Sequence, residues 1–299
     1  MYYRRKVLLS IIEQFGGELN RTKLQKLVFL FTREQEKKAF DFVPYRYGCY
    51  SFQANQDLKT MCKKGLLHEE TKGKKSGYWK MPEGNSFTHL LQSKDRSILL
   101  SFHRAFKSYS TDDLIRYTYT KYPYFAINSS VAVKYLEEKE LDAVEKERPK
   151  KQDSALFTIG YEGITLEAYL NKLIEQNVHL LCDVRKNSLS MKFGFSKRQL
   201  KHACEQVGID FHHLPDLGIE SDKRKKLTTM RDYDLLFAEY EKTTLANNHQ
   251  AVLQLADLVK KYDRVAITCF EASHCMCHRG RVVKALEALP DWDIPIKHL

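Results

Sequence analysis

Apolar positions recur along this chain with two different periods, and the change of period falls near its middle. Residues 4–15 carry Val7, Leu8, Ile11, Ile12 and Phe15 at helical spacing, and Gly16-Gly17 predicts the stop. Asn20 suits the N-cap of a second helix. Leu24, Leu27, Val28 and Phe31 then fall at i, i+3, i+4 and i+7 and predict one buried face, with Arg21, Lys23 and Lys26 off that stripe. An aromatic, turn-rich connection, FDFVPYRYGCYSF, leads to a third helix over residues 53–64 that turns Leu58 and Met61 inward and stops at Gly65. LLHEETKGKKSGYWKMP reads as strand, turn, strand, with Lys72, Lys74 and Lys75 at the tip.

Residues 90–150 are predicted helical, with Thr111 as an N-cap ahead of Asp112 and Asp113. The aromatic residues Tyr117, Tyr119, Tyr122, Tyr124 and Phe125 could stack on bases, but such a cluster more often packs a core. The charged run 136–154 passes through Pro149 and predicts a solvated helix and a linker.

Beyond it, short apolar runs alternate with helical periods. ALFTIGYEG is a strand ending at Gly160, and Ile164 to Ile174 begin a helix. VHLLCDVR is a buried strand ending at Asp183 and Arg185, and residues 196–207 follow as a helix capped by Ser196. IDFHHLPDLG is a third strand, 231–246 and 249–261 are helical, and RVAITC is a fourth strand. After a turn loaded with Cys and His, Val282, Val283 and Leu286 return to helical spacing. The expected fold class is α/β, a mostly parallel sheet flanked by helices, behind an N-terminal winged-helix-like domain. The expected division is 1–85 winged-helix-like, 86–150 a helical connector and 151–299 the α/β domain. Parallel strands place their ends on one edge. That edge would gather Tyr161 and Glu162, Asp183 and Arg185, His212 and His213, and Cys269 and Glu271 with the Cys277-His278-Arg279 turn.

Charge sharpens this picture. The formal net charge of +11 favours a polyanionic partner, with double-stranded DNA first. Residues 1–150 hold 28 Lys and Arg against 18 Asp and Glu, whereas 151–299 hold 21 against 20, so the excess belongs to the front half. Lys59, Lys63 and Lys64 on the third helix, with Lys72, Lys74 and Lys75 on the hairpin, are the expected DNA contacts. Homodimerisation is left open, because winged-helix proteins often dimerise. The start MYYRRKVLLSIIEQF becomes charged at Glu13 before a long apolar run can form, and no run of about 18 apolar residues occurs. With an odd count of 7 Cys, this predicts a cytoplasmic protein with reduced thiols and no membrane partner.

Two resemblances follow from these residues. The second helix ending LQKLVFLF, then YRYGCYS, then a helix closing in GLL, resembles the winged-helix segment of antitoxin-like and defence-associated bacterial proteins. Cys49 stands where proline is usual, which implies a looser turn. In the second half, TIGYEG, DVR followed by Ser190 and FSK, HLPDLG, and C-x-E with CHR together resemble the prokaryotic domain of unknown function 488 over residues 155–290. The motif positions that carry over are Gly160, Tyr161, Asp183, Arg185, Ser190, Leu217, Gly218, Cys269, Glu271, Cys277, His278 and Arg279; His274 and Cys275 are additional here. The resemblance implies fold and site placement more than a reaction.

Several chemistries remain open. The leading expectation is a DNA-binding hydrolase, either a DNA glycosylase-like base excision enzyme or a strand-cleaving one, and the resemblance to defence-associated proteins implies a role in prokaryotic antiviral defence. Asp183, Glu271 and His278 are its candidate catalytic groups. Tyr161, Arg185, Ser190, Cys277 and Arg279 are its candidate phosphate and substrate contacts. A structural ion pair is the plain alternative for Asp183 and Arg185. A DNA-binding transcriptional regulator sensing a small anionic ligand would use the same positions. A rhodanese-like or phosphatase-like cysteine enzyme is a further alternative, because Cys275-x5-Arg281 has the spacing of an anion-binding thiol loop. Cys269, His274, Cys275, Cys277 and His278 suffice in number for zinc, but adjacent ligands are awkward, so neither a metal nor another cofactor is expected.

Overall fold

The computed structural model describes residues 1–70, 77–82, 84, 86–150, 152–224 and 228–299. They form two compact units, Met1–Arg148 and Pro149–Leu299.

In the first unit, α1 (Tyr3–Gln14), β1 (Glu18–Asn20) and α2 (Arg21–Glu34) follow the predicted pattern, and Asn20 caps α2 by accepting from the Lys23 N–H at 2.7 Å. The aromatic connection is a small antiparallel hairpin, β2 (Val43–Tyr45) and β3 (Gly48–Tyr50). Ser51 caps α3 (Phe52–Lys63). β4 (His68–Glu70) and β5 (Tyr78–Lys80) pair antiparallel, and β1 joins on the far side of β5. This order of helices and antiparallel strands is compatible with a winged-helix-like fold. The tip holding Lys72, Lys74 and Lys75 lies outside the described residues.

α4 (Ser93–Phe106) and α5 (Thr111–Lys121) add Leu99, Phe102, Phe106 and Leu114 to the same core as Leu27, Phe31 and Leu58, so the stretch read as a connector packs into this unit. The cap of α5 is Ser110, one residue before the expected Thr111, because Ser110 and Asp113 exchange hydrogen bonds in a capping box. Tyr119 and Phe125 are buried, as a packing role requires. α6 (Ala132–Tyr135) and α7 (Glu138–Lys146) complete the unit. Lys26, expected off the apolar stripe, is buried: α1, α4, α5 and β3 pack around α2. Its ammonium donates to the Tyr47 carbonyl, and burial lowers it below the ordinary lysine value.

The second unit contains β6 (Ala155–Gly160), α8 (Leu166–Glu175), β7 (Leu180–Asp183), α9 (Lys197–Gln206), β8 (Asp210–His213), α10 (Met230–Tyr240), α11 (His249–Tyr262), β9 (Arg264–Cys269), α12 (Arg279–Glu287) and β10 (Ile296–His298). All pairings in its sheet are parallel, in the order β10-β6-β9-β7-β8. β6, β7 and β9 are buried on both faces, which is why they read as continuous apolar runs rather than alternating ones. One face carries Leu156, Cys182, Val265 and Ile267 into a core with Phe237, Leu255 and Val282 from α10, α11 and α12. The sheet order decides where a site can lie. After β7 the chain leaves toward β8, and after β9 it leaves in the opposite direction, toward β10. Adjacent strands whose connections part in this way open a crevice at their carboxyl ends. Asp183 and Cys269 end those two strands.

Candidate anion-binding cleft at the sheet edge

A cleft of about 430 Å³ opens at this edge, lined by Tyr161, Arg185, Lys186, Asn187, Leu189, Ser190, Met191, Lys192, Ile219, Cys269 and Phe270. Arg185 sets its polarity. The guanidinium donates Nε to Asp183 Oδ1 at 2.7 Å, Nη2 to Asp183 Oδ2 at 2.6 Å and to the Phe195 carbonyl at 2.9 Å, and Nη1 to the Tyr161 hydroxyl at 2.6 Å. Burial alone would lower the guanidinium, but the Asp183 carboxylate reverses this and holds it above its ordinary value. Of its five N–H bonds these contacts use four, and the remaining one belongs to Nη1.

The carboxylate that holds Arg185 is itself enclosed. Asp183 is wholly buried, and Oδ1 also accepts the Arg185 main-chain N–H at 3.1 Å. Asp183, a candidate catalytic group by sequence, is thus engaged by Arg185 and is not among the residues lining the cleft. Two residues past the strand end, Arg185 folds back on it, and a buried carboxylate needs such a paired cation. Tyr161 is clamped as well: it stacks on Phe195 with centroids 4.3 Å apart and an 8° interplanar angle, and meets Phe270 edge-on at 5.3 Å.

The loop after β7 closes one wall. Ser196 stands at the N-cap position before α9, but its hydroxyl does not cap the helix: it accepts from the Ser190 N–H at 3.0 Å and donates to the Ser190 carbonyl at 3.1 Å. Ser190 Oγ accepts from the Lys192 N–H at 3.2 Å, so this hydroxyl shapes the loop. Lys192 donates to the Tyr161 carbonyl at 2.6 Å, and partial burial lowers its ammonium below the ordinary value. His213 Nε2 meets the Arg185 carbonyl at 2.9 Å from the end of β8. Two glycines permit the close approaches. A Cβ on Gly160 would stand 1.8 Å from the Glu271 carbonyl oxygen, and one on Gly218 would stand 2.0 Å from the Lys186 nitrogen.

The Cys-His turn packs beside this cleft. Glu271 Oε2 lies 3.2 Å from Cys269 Sγ. Arg279, expected to grip phosphate, is instead buried: Nη1 donates to the Glu271 carbonyl and Nη2 to the Ala272 carbonyl at 2.7 Å, so it holds the turn. At the start of α12 the N–H groups of Gly280 and Arg281 donate to the carbonyls of Cys277 and His278. Cys277 is buried, and desolvation raises its thiol well above the ordinary value, the opposite of an activated nucleophile. The Cys275-x5-Arg281 loop fails on geometry too: Arg281 points to Glu241 at 3.2 Å. His278 is buried. Its Nδ1 is 3.5 Å from Cys269 Sγ and 3.8 Å from Cys277 Sγ, and its Nε2 is 3.0 Å from the Val184 carbonyl. Cys269, Cys277 and His278 are the residues here that could hold a metal ion.

Thus Tyr161, Arg185, Ser190 and Cys269 share the cleft, Glu271 and His278 flank Cys269, and Asp183 and Arg279 stand behind as supports. Sequence reasoning missed Lys186, Asn187, Lys192 and Phe270. Lys192 lies inside the motif between Ser190 and FSK, and Phe270 lies between Cys269 and Glu271, so both were within reach of the motifs themselves.

Fold and site define a doubly wound α/β domain with a cationic cleft at its topological switch. Residues 165–286 match the family model described as Domain of unknown function DUF488, so the C-terminal part of the chain carries a domain of that family. A second similarity, 34% identity over 76 residues, is to "Uncharacterized protein YwgA" of Bacillus subtilis (strain 168). It covers 24% of this chain and 43% of that protein, so the chain spans less than half the length of that relative. Among the described residues no helix is long and apolar enough to cross a membrane.

Proposed function

We propose that this chain is a DNA-binding enzyme of the hydrolase type, which seats a phosphate-bearing unit of nucleic acid in the cleft at the sheet edge. The supporting observation is the cleft's electrostatics. Arg185 is fixed at its floor, Lys186 and Lys192 stand on its wall, and the described lining holds no carboxylate. Its rim is apolar: Leu189 and Met191 are 79% and 105% exposed beside Phe270. A ligand with an anionic part and a flat apolar part, such as a nucleotide unit, complements both. Glu271, half-buried beside Cys269, is then the base that takes a proton from the attacking water. In base excision, the water oxygen bonds to C1′ as the C1′–N bond breaks, and the base leaves with the electron pair and acquires a proton. The exposed Lys59, Lys63 and Lys64 on α3 and the basic front half support duplex DNA as the target. Cytoplasmic location, a dimeric state and a role in prokaryotic defence belong to the same reading.

The test is incubation of the full chain with ordinary and modified duplex DNA, scored for abasic sites and for nicks. Release of a base or cutting, lost in Glu271→Gln with DNA affinity retained, is the expected result. Absence of both products from every duplex tried would sink the hydrolase.

One observation favours a second reading, a regulator that senses a small anionic ligand. Asp183 is spent on Arg185, which leaves the cleft lining suited to binding without turnover. Such a protein would hold one operator sequence tightly, release it on adding the anion, and consume nothing.

A further inference from the structure

We infer that Cys269, Cys277 and His278 form a binding site for a thiophilic transition-metal ion, zinc in the first instance. The three side chains come from the end of β9 and from the turn that opens α12, and all three are buried. Their ligand atoms lie within 4.8 Å of one another.

Three observations point to a metal. The first is the tautomer. His278 Nε2 faces the Val184 carbonyl at 3.0 Å, and a carbonyl only accepts, so Nε2 carries the proton and Nδ1 presents its lone pair to the two sulfurs. A ring nitrogen anchored through a carbonyl, with the other nitrogen unprotonated, is the usual arrangement of a metal-ligating histidine. The second is convergence. Cys269 Sγ and Cys277 Sγ both approach Nδ1, at 3.5 Å and 3.8 Å, and Glu271 Oε2 stands 3.2 Å from Cys269 Sγ, so two sulfurs, an imidazole and a carboxylate gather at one place. The third is spacing. With zinc–sulfur bonds of about 2.3 Å and zinc–nitrogen bonds of about 2.0–2.1 Å, tetrahedral sulfur and nitrogen ligands stand about 3.6 Å apart. Both observed separations sit close to that value.

The sequence argued against metal because Cys277 and His278 are neighbours. In the fold the backbone turns between them, and both side chains converge on Cys269. Two thiolates and an imidazole select a borderline-soft ion over magnesium or calcium. Binding displaces the two thiol protons to water; the imidazole, already unprotonated at Nδ1, gives up none. Three protein ligands leave a fourth position, as in zinc sites that activate water rather than closed structural ones. Glu271 brings a carboxylate oxygen beside the cluster, with Oε2 3.2 Å from Cys269 Sγ. The inference does not rest on the hydrolase reading, since the ion can be held whether or not anything is turned over.

The test uses the full chain purified without chelator. Elemental analysis is expected to find one zinc per chain after dialysis. Replacement by cobalt is expected to give tetrahedral visible bands and a thiolate-to-cobalt charge-transfer band. Cys277→Ser and His278→Ala should lower occupancy at least tenfold, while Cys275→Ser, at an exposed thiol outside the cluster, should keep it. Because the cobalt spectrum is read on the unmodified chain, a variant that fails to fold does not decide the matter. Wild-type protein that gives no charge-transfer band with added cobalt would overturn the site, as would a disulfide joining Cys269 to Cys277. Loss of the ion in Cys275→Ser but not in Cys277→Ser would overturn the ligand assignment.

Discussion

His278 Nε2 and the Val184 carbonyl oxygen lie 3.0 Å apart, although 94 positions separate these residues in the chain. The contact latches the Cys-His turn to the residue immediately after Asp183, at the end of β7. It therefore couples the cysteine cluster to the carboxylate that holds Arg185, and perturbing either side should reach the cleft.

Asp183→Asn should destabilise the C-terminal unit by about 3–5 kcal/mol, because it leaves the Arg185 guanidinium buried without its charge partner. Denaturant unfolding followed by Trp292 fluorescence reads this unit, while Trp79 reports on the other. Adding Arg185→Met to the same chain should recover part of the loss, since an unpaired buried charge is the source of the penalty. A single variant as stable as wild type would show that the pair carries no folding role.

Gly160→Ala should be more costly than its size implies. The new methyl would overlap the Glu271 carbonyl, which is main chain and cannot rotate away. A loss of at least about 3 kcal/mol is expected. Gly208→Ala meets no atom within 4 Å but has φ of +83°, so it should cost only about 1–2 kcal/mol of backbone strain. Equal melting-temperature shifts for the two variants would contradict the assignment of close approach to Gly160.

Glu13 ties residues 86–88 to α1. Burial raises its carboxyl, but hydrogen bonds outweigh that effect and leave it below the ordinary value: the N–H groups of Phe87 and Thr88 donate at 2.7 Å, and the Ser86 and Thr88 hydroxyls add two more. A depressed folded value stabilises above the ordinary carboxylate range, and that contribution is lost as pH falls through the depressed value. Glu13→Gln should therefore cost about 1 kcal/mol at neutral pH, after allowance for solvent screening. The difference from wild type should vanish in acid. A difference that persists unchanged at low pH would point to packing instead of charge as its source.

The proposed DNA contact uses α3, whose Ala54, Leu58 and Met61 are buried while Lys59, Lys63 and the C-cap residue Lys64 are exposed. Reversing the three charges should weaken binding to every duplex alike and lower the slope of log affinity against log salt by roughly one for each phosphate no longer neutralised. Unchanged salt dependence would remove this helix from the interface.

Much of the architecture was legible in the chain because it depends on local periodicity. Val7, Leu8, Ile11 and Ile12 could only face a core from a helix, and the unbroken apolar runs ending at Gly160, Asp183 and Cys269 could only be strands covered on both sides. Their alternation with helices then implied parallel order, and so the shared edge on which Tyr161, Arg185 and Cys269 meet. Orientation was not legible, because direction at a turn is set by what is packed behind it. Nothing in DVR says that Arg185 bends back to enclose Asp183, and nothing in CHR says that Arg279 turns inward to two carbonyls. Adjacent Cys277 and His278 looked incompatible as ligands, and only the fold brings Cys269, from the end of β9, to the same ring nitrogen that Cys277 approaches. Residue types and spacing thus determined which groups reach the rim, whereas the partners each buried polar group must find in the folded chain decided which of them face outward.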